Sequence, residues 1–185
     1  FLGDNAKPVQ IELIAGDVDG VAVPVKDGDA VAISLVPRAR VIFAGVRATN
    51  LDPCAVWLTG TLRDLSTNQL RLDARTMHLT PMPDRTGWGG SDQDDLSTFA
   101  NVLVCPNQWS KTDVYGTPYE LSITVTDRDG RTATTTAKVS PSCADLEPST
   151  LSQCLCICKG GYVLGQPCDP VADGGAEGGA MDGGP

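Results

Sequence analysis

Apolar and polar residues alternate in short runs through residues 1–142, and Gly, Asp, Asn or Pro interrupts each run after a few positions. VQIELIA (9–15), GVAVPV (20–25), AVAISLV (30–36), RVIFAGV (40–46), CAVWLTGTL (54–62), QLRLDA (69–74), TMHLTP (76–81) and NVLVC (101–105) are each long enough for one strand. Recurrence at this spacing, with turn residues between, is the pattern of a two-sheet sandwich. No window of helical length keeps the three-and-four apolar spacing of an amphipathic helix, so little helix is expected.

The clearest element is YELSITVTDRDGRTATTTAKV (119–139). Tyr119, Leu121, Ile123 and Val125 alternate with Glu120, Ser122, Thr124 and Thr126, and Ala133, Thr135, Ala137 and Val139 resume the alternation after residues 127–130. This predicts an antiparallel hairpin in which Gly130 is free to take a positive φ. One face packs on a core; the other, rich in Thr, faces solvent.

The motif Y-x-L-x-I-x-V-x-D-x-x-G, followed by a Thr-rich last strand, resembles the final two strands of bacterial immunoglobulin-like and PKD-like extracellular domains. The likeness covers 119–139, and the Trp- and Asp-rich signature of PKD domains is absent from the preceding segment. It implies an all-β, immunoglobulin-like antiparallel β-sandwich over 1–142. With the cysteine-rich segment that follows, the chain also resembles surface lipoproteins of Gram-negative bacteria, which implies a lipid anchor upstream and supplies no activity.

Length and composition agree with one domain plus an appendage: 185 residues, 41% hydrophobic, suffice for a real core. The formal charge is −9, but Asp169, Asp173, Glu177 and Asp182 supply four negatives in a stretch without Lys or Arg, leaving about −5 for the remainder. No basic stripe neutralises phosphate, so nucleic acid is not an expected partner. No apolar run is long enough to span a membrane, and a chain starting at Phe1 rather than Met suggests a removed leader. An exported protein, extracellular, on the cell surface or periplasmic, is the expectation.

Seven cysteines sharpen it. Cys54 opens one predicted strand and Cys105 closes another, which suggests a cross-strand disulfide between them. Cys143, Cys154, Cys156, Cys158 and Cys168 form a second group at 143–168. Read as an extended segment, CLCICKGG (154–161) puts Cys154, Cys156 and Cys158 on one face, too far apart for adjacent pairing. Each then seeks a partner elsewhere, with Cys143 and Cys168 available, and one thiol of the five is left over. A thiolate metal cluster is the alternative, but zinc sites favour Cys-x-x-Cys spacing, often with His. A small disulfide knot is expected, in an oxidising compartment.

Catalytic groups are sparse. His78, the sole histidine, alternates with Met77 and Leu79 and falls on the solvent side of a strand. No nucleophile elbow and no phosphate-cradling loop with Lys occurs. The expectation is a protein without enzymatic activity and without a cofactor. Two long loops carry the remaining chemistry. MPDRTGWGGSDQDDLST (82–98) holds Trp88 and the carboxylates Asp92, Asp94 and Asp95, and PNQWSKTDVYGTP (106–118) holds Trp109 and Tyr115. Trp88, Trp109 and Tyr115 could form a stacking platform for a surface glycan, or plug the open end of the sandwich. Asp92, Asp94 and Asp95 are the best calcium candidates in the chain, although closely spaced Asp is also ordinary turn chemistry. Beyond Cys168, a Gly-rich acidic segment (169–185) is expected to be a flexible tail. The whole reads as a structural or interaction module for adhesion or assembly, partnered by other envelope proteins or by itself, with carbohydrate binding as the alternative.

Overall fold

The computed structural model describes residues 1–17 and 19–168; the tail expected at 169–185 lies outside them. Twelve strands are described: β1 (Gln10–Gly16), β2 (Ala22–Pro24), β3 (Ala30–Ala32), β4 (Ser34–Val36), β5 (Ala39–Thr49), β6 (Val56–Asp64), β7 (Leu70–Met77), β8 (Thr80–Pro81), β9 (Trp88–Gly90), β10 (Ala100–Cys105), β11 (Tyr119–Thr126) and β12 (Thr132–Ser142). One sheet has the order β3-β12-β11-β6-β7, and the other is assembled on β5, which pairs with β1, β4, β9 and β10. The fold is all-β, as the periodicity predicts.

The expected hairpin is present as β11 and β12, with Gly130 at φ 79° in the turn. Asp127 makes this turn rigid. Its Oδ1 accepts from the amides of Asp129 and Arg131, and its Oδ2 accepts from Asp52 N, tying the turn to the β5–β6 connection. Tyr119, Leu121, Ile123 and Val125 all point inward and are fully buried, meeting Ile42, Val46, Leu58 and Leu62 between the sheets. Gly60 lets β6 approach β10, because a Cβ there would stand 2.6 Å from Ala100 Cβ.

Two strand expectations change. AVAISLV is not one strand: β3 joins the five-stranded sheet and β4 the other, with buried Ile33 crossing between them and its amide donating to Ser142 O. β3 also runs parallel to β12, so that sheet is mixed rather than wholly antiparallel. The apolar run conceals the break, because Val31 and Ile33 are buried while Leu35 on β4 is apolar and yet 51% exposed. TMHLTP breaks similarly, with His78 exposed in the link between β7 and β8 rather than on a strand.

The largest correction concerns the cysteines. CLCIC is helical, not extended: α1 spans Pro148–Ile157, with Pro148 at its first turn, where the missing N–H costs nothing. Leu151, Cys154 and Cys158 recur at intervals of three and four, which puts Cys154 and Cys158 together on the buried side. The disulfides are Cys105–Cys158, Cys143–Cys154 and Cys156–Cys168. Cys143 and Cys168 thus serve as partners for the cluster, as expected, but Cys105 bonds Cys158 and not Cys54. Register explains why. Cys105 pairs with Arg40 at the start of β5, whereas Cys54 follows the far end of β5. Nine residues of strand separate Arg40 from Thr49, about 30 Å, far beyond disulfide reach. The unpaired thiol is therefore Cys54, which is exposed, and not a member of the C-terminal group.

The C-terminal segment is built into the sandwich. Arg40 is fully buried and clamps it, with Nη1 2.6 Å from Asp145 Oδ2 and Nη2 donating to Thr150 O. Asn107 does the same from the β10–β11 connection: its amide donates to Ile157 O and its side chain to Thr112 O and Cys158 O.

Candidate functional site

The exposed face of the five-stranded sheet carries the features that packing does not explain. It begins with an inversion. Strand β7 reads Leu70, Arg71, Leu72, Asp73, and alternation on a half-buried sheet would put the leucines inside. Instead Arg71 points in, 7% exposed, and Leu70 and Leu72 point out, 50% and 56% exposed. The pairing Leu72↔Thr61 and Val56↔Met77 with β6 fixes this register, because it buries Met77 under the same face as Arg71.

Leu70 and Leu72 adjoin Leu103 of β10 and Trp109 in a shallow groove of about 250 Å³ floored by Arg71 and Gln69. Trp109 is 59% exposed. Beneath the groove, Arg71 Nη2 donates to Asn107 Oδ1 and its guanidinium lies 5.7 Å from the Tyr119 ring. Arg71 Nε and Nη1, Tyr119 OH and Asp64 Oδ2 have no hydrogen-bond partner among the described residues. Burial pushes the Tyr119 hydroxyl pKa up, opposed by the nearby guanidinium. Burial also raises Asp64, but the hydroxyl and amide of Ser66 and the amide and hydroxyl of Thr67 outweigh it and hold the carboxyl below its usual range.

From this groove the outer face continues across β6, β11 and β12 in rows set by register. Leu72, Thr61, Ser122 and Thr136 form one row; Ala74, Thr59, Thr124 and Thr134 the next; Thr76, Trp57, Thr126 and Thr132 the third. These rows contain no ionisable side chain. A fourth row, Leu70, Arg63, Glu120 and Lys138, closes one end, with Arg63 Nε 3.5 Å from Glu120. Hydroxyls pair across the hairpin, Thr124 Oγ1 with Thr134 Oγ1 at 2.8 Å and Thr126 Oγ1 with Thr132 Oγ1 at 3.0 Å, which fixes their rotamers. Trp57 stands on this floor 52% exposed.

The three aromatics expected to converge do not. Trp88 begins β9 and pairs with Thr49, whereas Trp109 follows Cys105, so they occupy opposite ends of β5. The Arg85 guanidinium lies 3.7 Å over the Trp88 ring and is held there by Glu12 at 2.7 Å, so that ring face is covered. Tyr115 packs half-buried against the core, and burial, followed by the charge of Asp113, raises its hydroxyl pKa. Only Trp109 is open. Trp57 sits inside a regular strand; its signal in the sequence is its position in the polar phase of the alternation, in step with Thr59, Thr61 and Arg63.

The carboxylates of Asp92 and Asp95 make turns, and Asp94 enters the first of them through its amide. Asp92 Oδ1 accepts from Asp94 N, and Asp95 Oδ1 accepts from Ser97 N at the start of the 3₁₀ turn Leu96–Thr98. The Ser97 contacts hold the Asp95 carboxyl below its ordinary value. Among the described residues, one group of three metal-ligating side chains comes close together, Cys143, Cys154 and Cys158, and all three are in disulfides. Among the described residues no helix is long and apolar enough to cross a membrane. Comparison with protein-family models, curated proteins and solved structures returns no match.

The class defined by fold and site is thus a disulfide-locked, two-sheet β-sandwich with a segregated outer face. That face can hold a partner by apolar contact and hydroxyl hydrogen bonds.

Proposed function

We propose that this protein is a non-enzymatic interaction module of immunoglobulin-like type, working in an oxidising compartment outside the cytoplasm, at the cell surface or in the periplasm. Its role is adhesion or assembly through the outer face of the five-stranded sheet. The observation that carries this reading is the inverted phase of β7, which exposes Leu70 and Leu72 and buries Arg71. Exposing two leucines and burying a guanidinium with unpartnered nitrogens both oppose stability, and such a local conflict between pattern and fold marks a functional surface. Together with Leu103 and Trp109 the leucines form a contiguous apolar patch rather than scattered exposures. The three disulfides support the oxidising compartment.

The test compares the wild-type chain with the double variant Leu70→Lys/Leu72→Lys in sedimentation velocity and in co-sedimentation with an envelope fraction. Both side chains are exposed, so the variant is expected to fold with an unchanged melting temperature. Association by the wild type and its loss in the variant are the expected result. A wild-type protein that stays monomeric and leaves the envelope fraction untouched overturns the reading.

A further inference from the structure

The rows of hydroxyls outside the apolar groove raise a narrower question: what chemistry would a partner of this face present? We propose that the outer face of the five-stranded sheet binds a neutral polysaccharide, laid from Trp57 across Thr59, Thr61 and Leu72 into the groove beside Trp109. This rests on the reading of that face as the interaction surface and names its partner.

Three observations converge on this occupant. The first is charge. The three rows between Trp57 and Leu72 hold no ionisable side chain, in a chain of net charge −9. An acidic polymer is repelled by the protein as a whole, and a basic one finds no carboxylate on these rows to pair with. A neutral ligand meets neither penalty. The second is the inventory of groups. Each Ser or Thr hydroxyl offers one donor and two acceptor lone pairs, so those paired across the hairpin still accept from a ligand. A polyhydroxylated chain answers this field group for group. Protein interfaces do not, because Ser and Thr are under-represented among the residues that carry protein–protein affinity.

The third is the placement of apolar surface. Pyranose rings present C–H faces that pack on aromatic rings, and the two most exposed tryptophans, Trp57 and Trp109, stand at opposite ends of the hydroxyl field. Six residues of β6 separate Trp57 from Arg63, the row on which Leu70 lies, giving an extended track of about 20 Å. That length holds several sugar rings, with the methyls of Thr and the side chain of Leu72 between the end platforms. The track runs along β6, which is paired on both sides by β11 and β7, so its geometry is preset and little ordering accompanies binding.

The experiment is a co-sedimentation series of the full chain with insoluble cellulose, chitin, β-1,3-glucan, mannan and starch, with polygalacturonate as the charged comparator. The wild type is expected to sediment with at least one neutral polysaccharide, with retention insensitive to high salt. Trp57→Ala is expected to weaken that retention about ten-fold, the loss of one well-placed aromatic platform. Thr59→Val/Thr124→Val removes two hydroxyls without changing shape or strand propensity and is expected to weaken it as well, while Trp88→Ala leaves it intact. Failure of every neutral polysaccharide, retention on polygalacturonate alone, or wild-type retention in both the Trp57 and the Thr59/Thr124 variants overturns the proposal. So does a dimer in sedimentation equilibrium that Trp57→Ala dissociates, since the occupant is then a second copy. In any of these cases loss of envelope binding in Leu70→Lys/Leu72→Lys still sustains the interaction reading, whereas a monomeric, non-adherent wild type removes both.

Discussion

Replacing Arg71 by Met keeps its long apolar stem under β7 and removes the two nitrogens that lack partners among the described residues. The substitution also breaks the hydrogen bond from Arg71 Nη2 to Asn107 Oδ1. Because that loss leaves the buried Asn107 Oδ1 without its donor, Arg71→Met is expected to cost about 1–3 kcal/mol in urea unfolding. Arg71→Ala removes the stem too and is expected to cost about 2–4 kcal/mol. Its neighbour Tyr119 titrates against the fold. The buried hydroxyl has a raised pKa, so its contribution is intact below the ordinary value of 10.0 and declines as pH rises through the folded value. Tyr119→Phe is therefore expected to flatten the alkaline limb of a melting-temperature profile above pH 10.0 and to change little at neutral pH. Asp64 has the opposite sign: its lowered pKa gives stability that is present above 3.8 and lost as pH falls through the folded value, so Asp64→Asn is expected to flatten the acid limb. Cys54 offers the most direct check of the covalent structure. Alkylation of the native chain is expected to add one label, and alkylation after reduction and unfolding seven, read by intact mass.

At the level of elements, legibility followed how many faces of each segment are buried. The β11–β12 hairpin could be read residue by residue because one face is wet and one dry, which writes a period of two into the sequence. AVAISLV could not, since Val31 and Ile33 are buried but the wetter positions Ala30, Ala32 and Leu35 are apolar too, which hides the alternation. In CLCIC, a period of two in cysteines concealed a period of three and four in burial, carried by Leu151, Cys154 and Cys158. That helix is held by covalent bonds more than by propensity. Opening Cys105–Cys158 through the double variant Cys105→Ala/Cys158→Ala is expected to cost about 4 kcal/mol for a loop of 53 residues, against about 3 for the 11-residue loop of Cys143–Cys154. Gly60 tests the spacing of the sheets. Gly60→Ala pushes a methyl against Ala100 and is expected to cost about 1–3 kcal/mol, read by chemical unfolding. The candidate site was half legible: the Thr-rich face and Trp109 were visible as patterns, while Trp57 and the inverted leucines needed the register of β6 with β7.

Over the whole molecule, the two poles of the sandwich are differently built. At the pole where β5 ends, Leu2 bridges Leu51 and the hydrogen bonds of Asn50 and Asp127 gather the connections. At the other, Arg40, Asn107 and Cys105 bind the helical segment. Described residues at the two extremes of the chain, Leu2 and the segment around Cys158, therefore leave from opposite poles. Tension between them would run along the strands instead of across them. The hydrogen bonds joining β1 to β5 would be loaded in parallel, as in shear, rather than peeled one after another as in a zipper. At the far pole, the Cys105–Cys158 bond would pass the load to β10 and so to the middle of the sheet. A sandwich loaded this way would resist being pulled apart as a unit, with its patterned face parallel to the line of force.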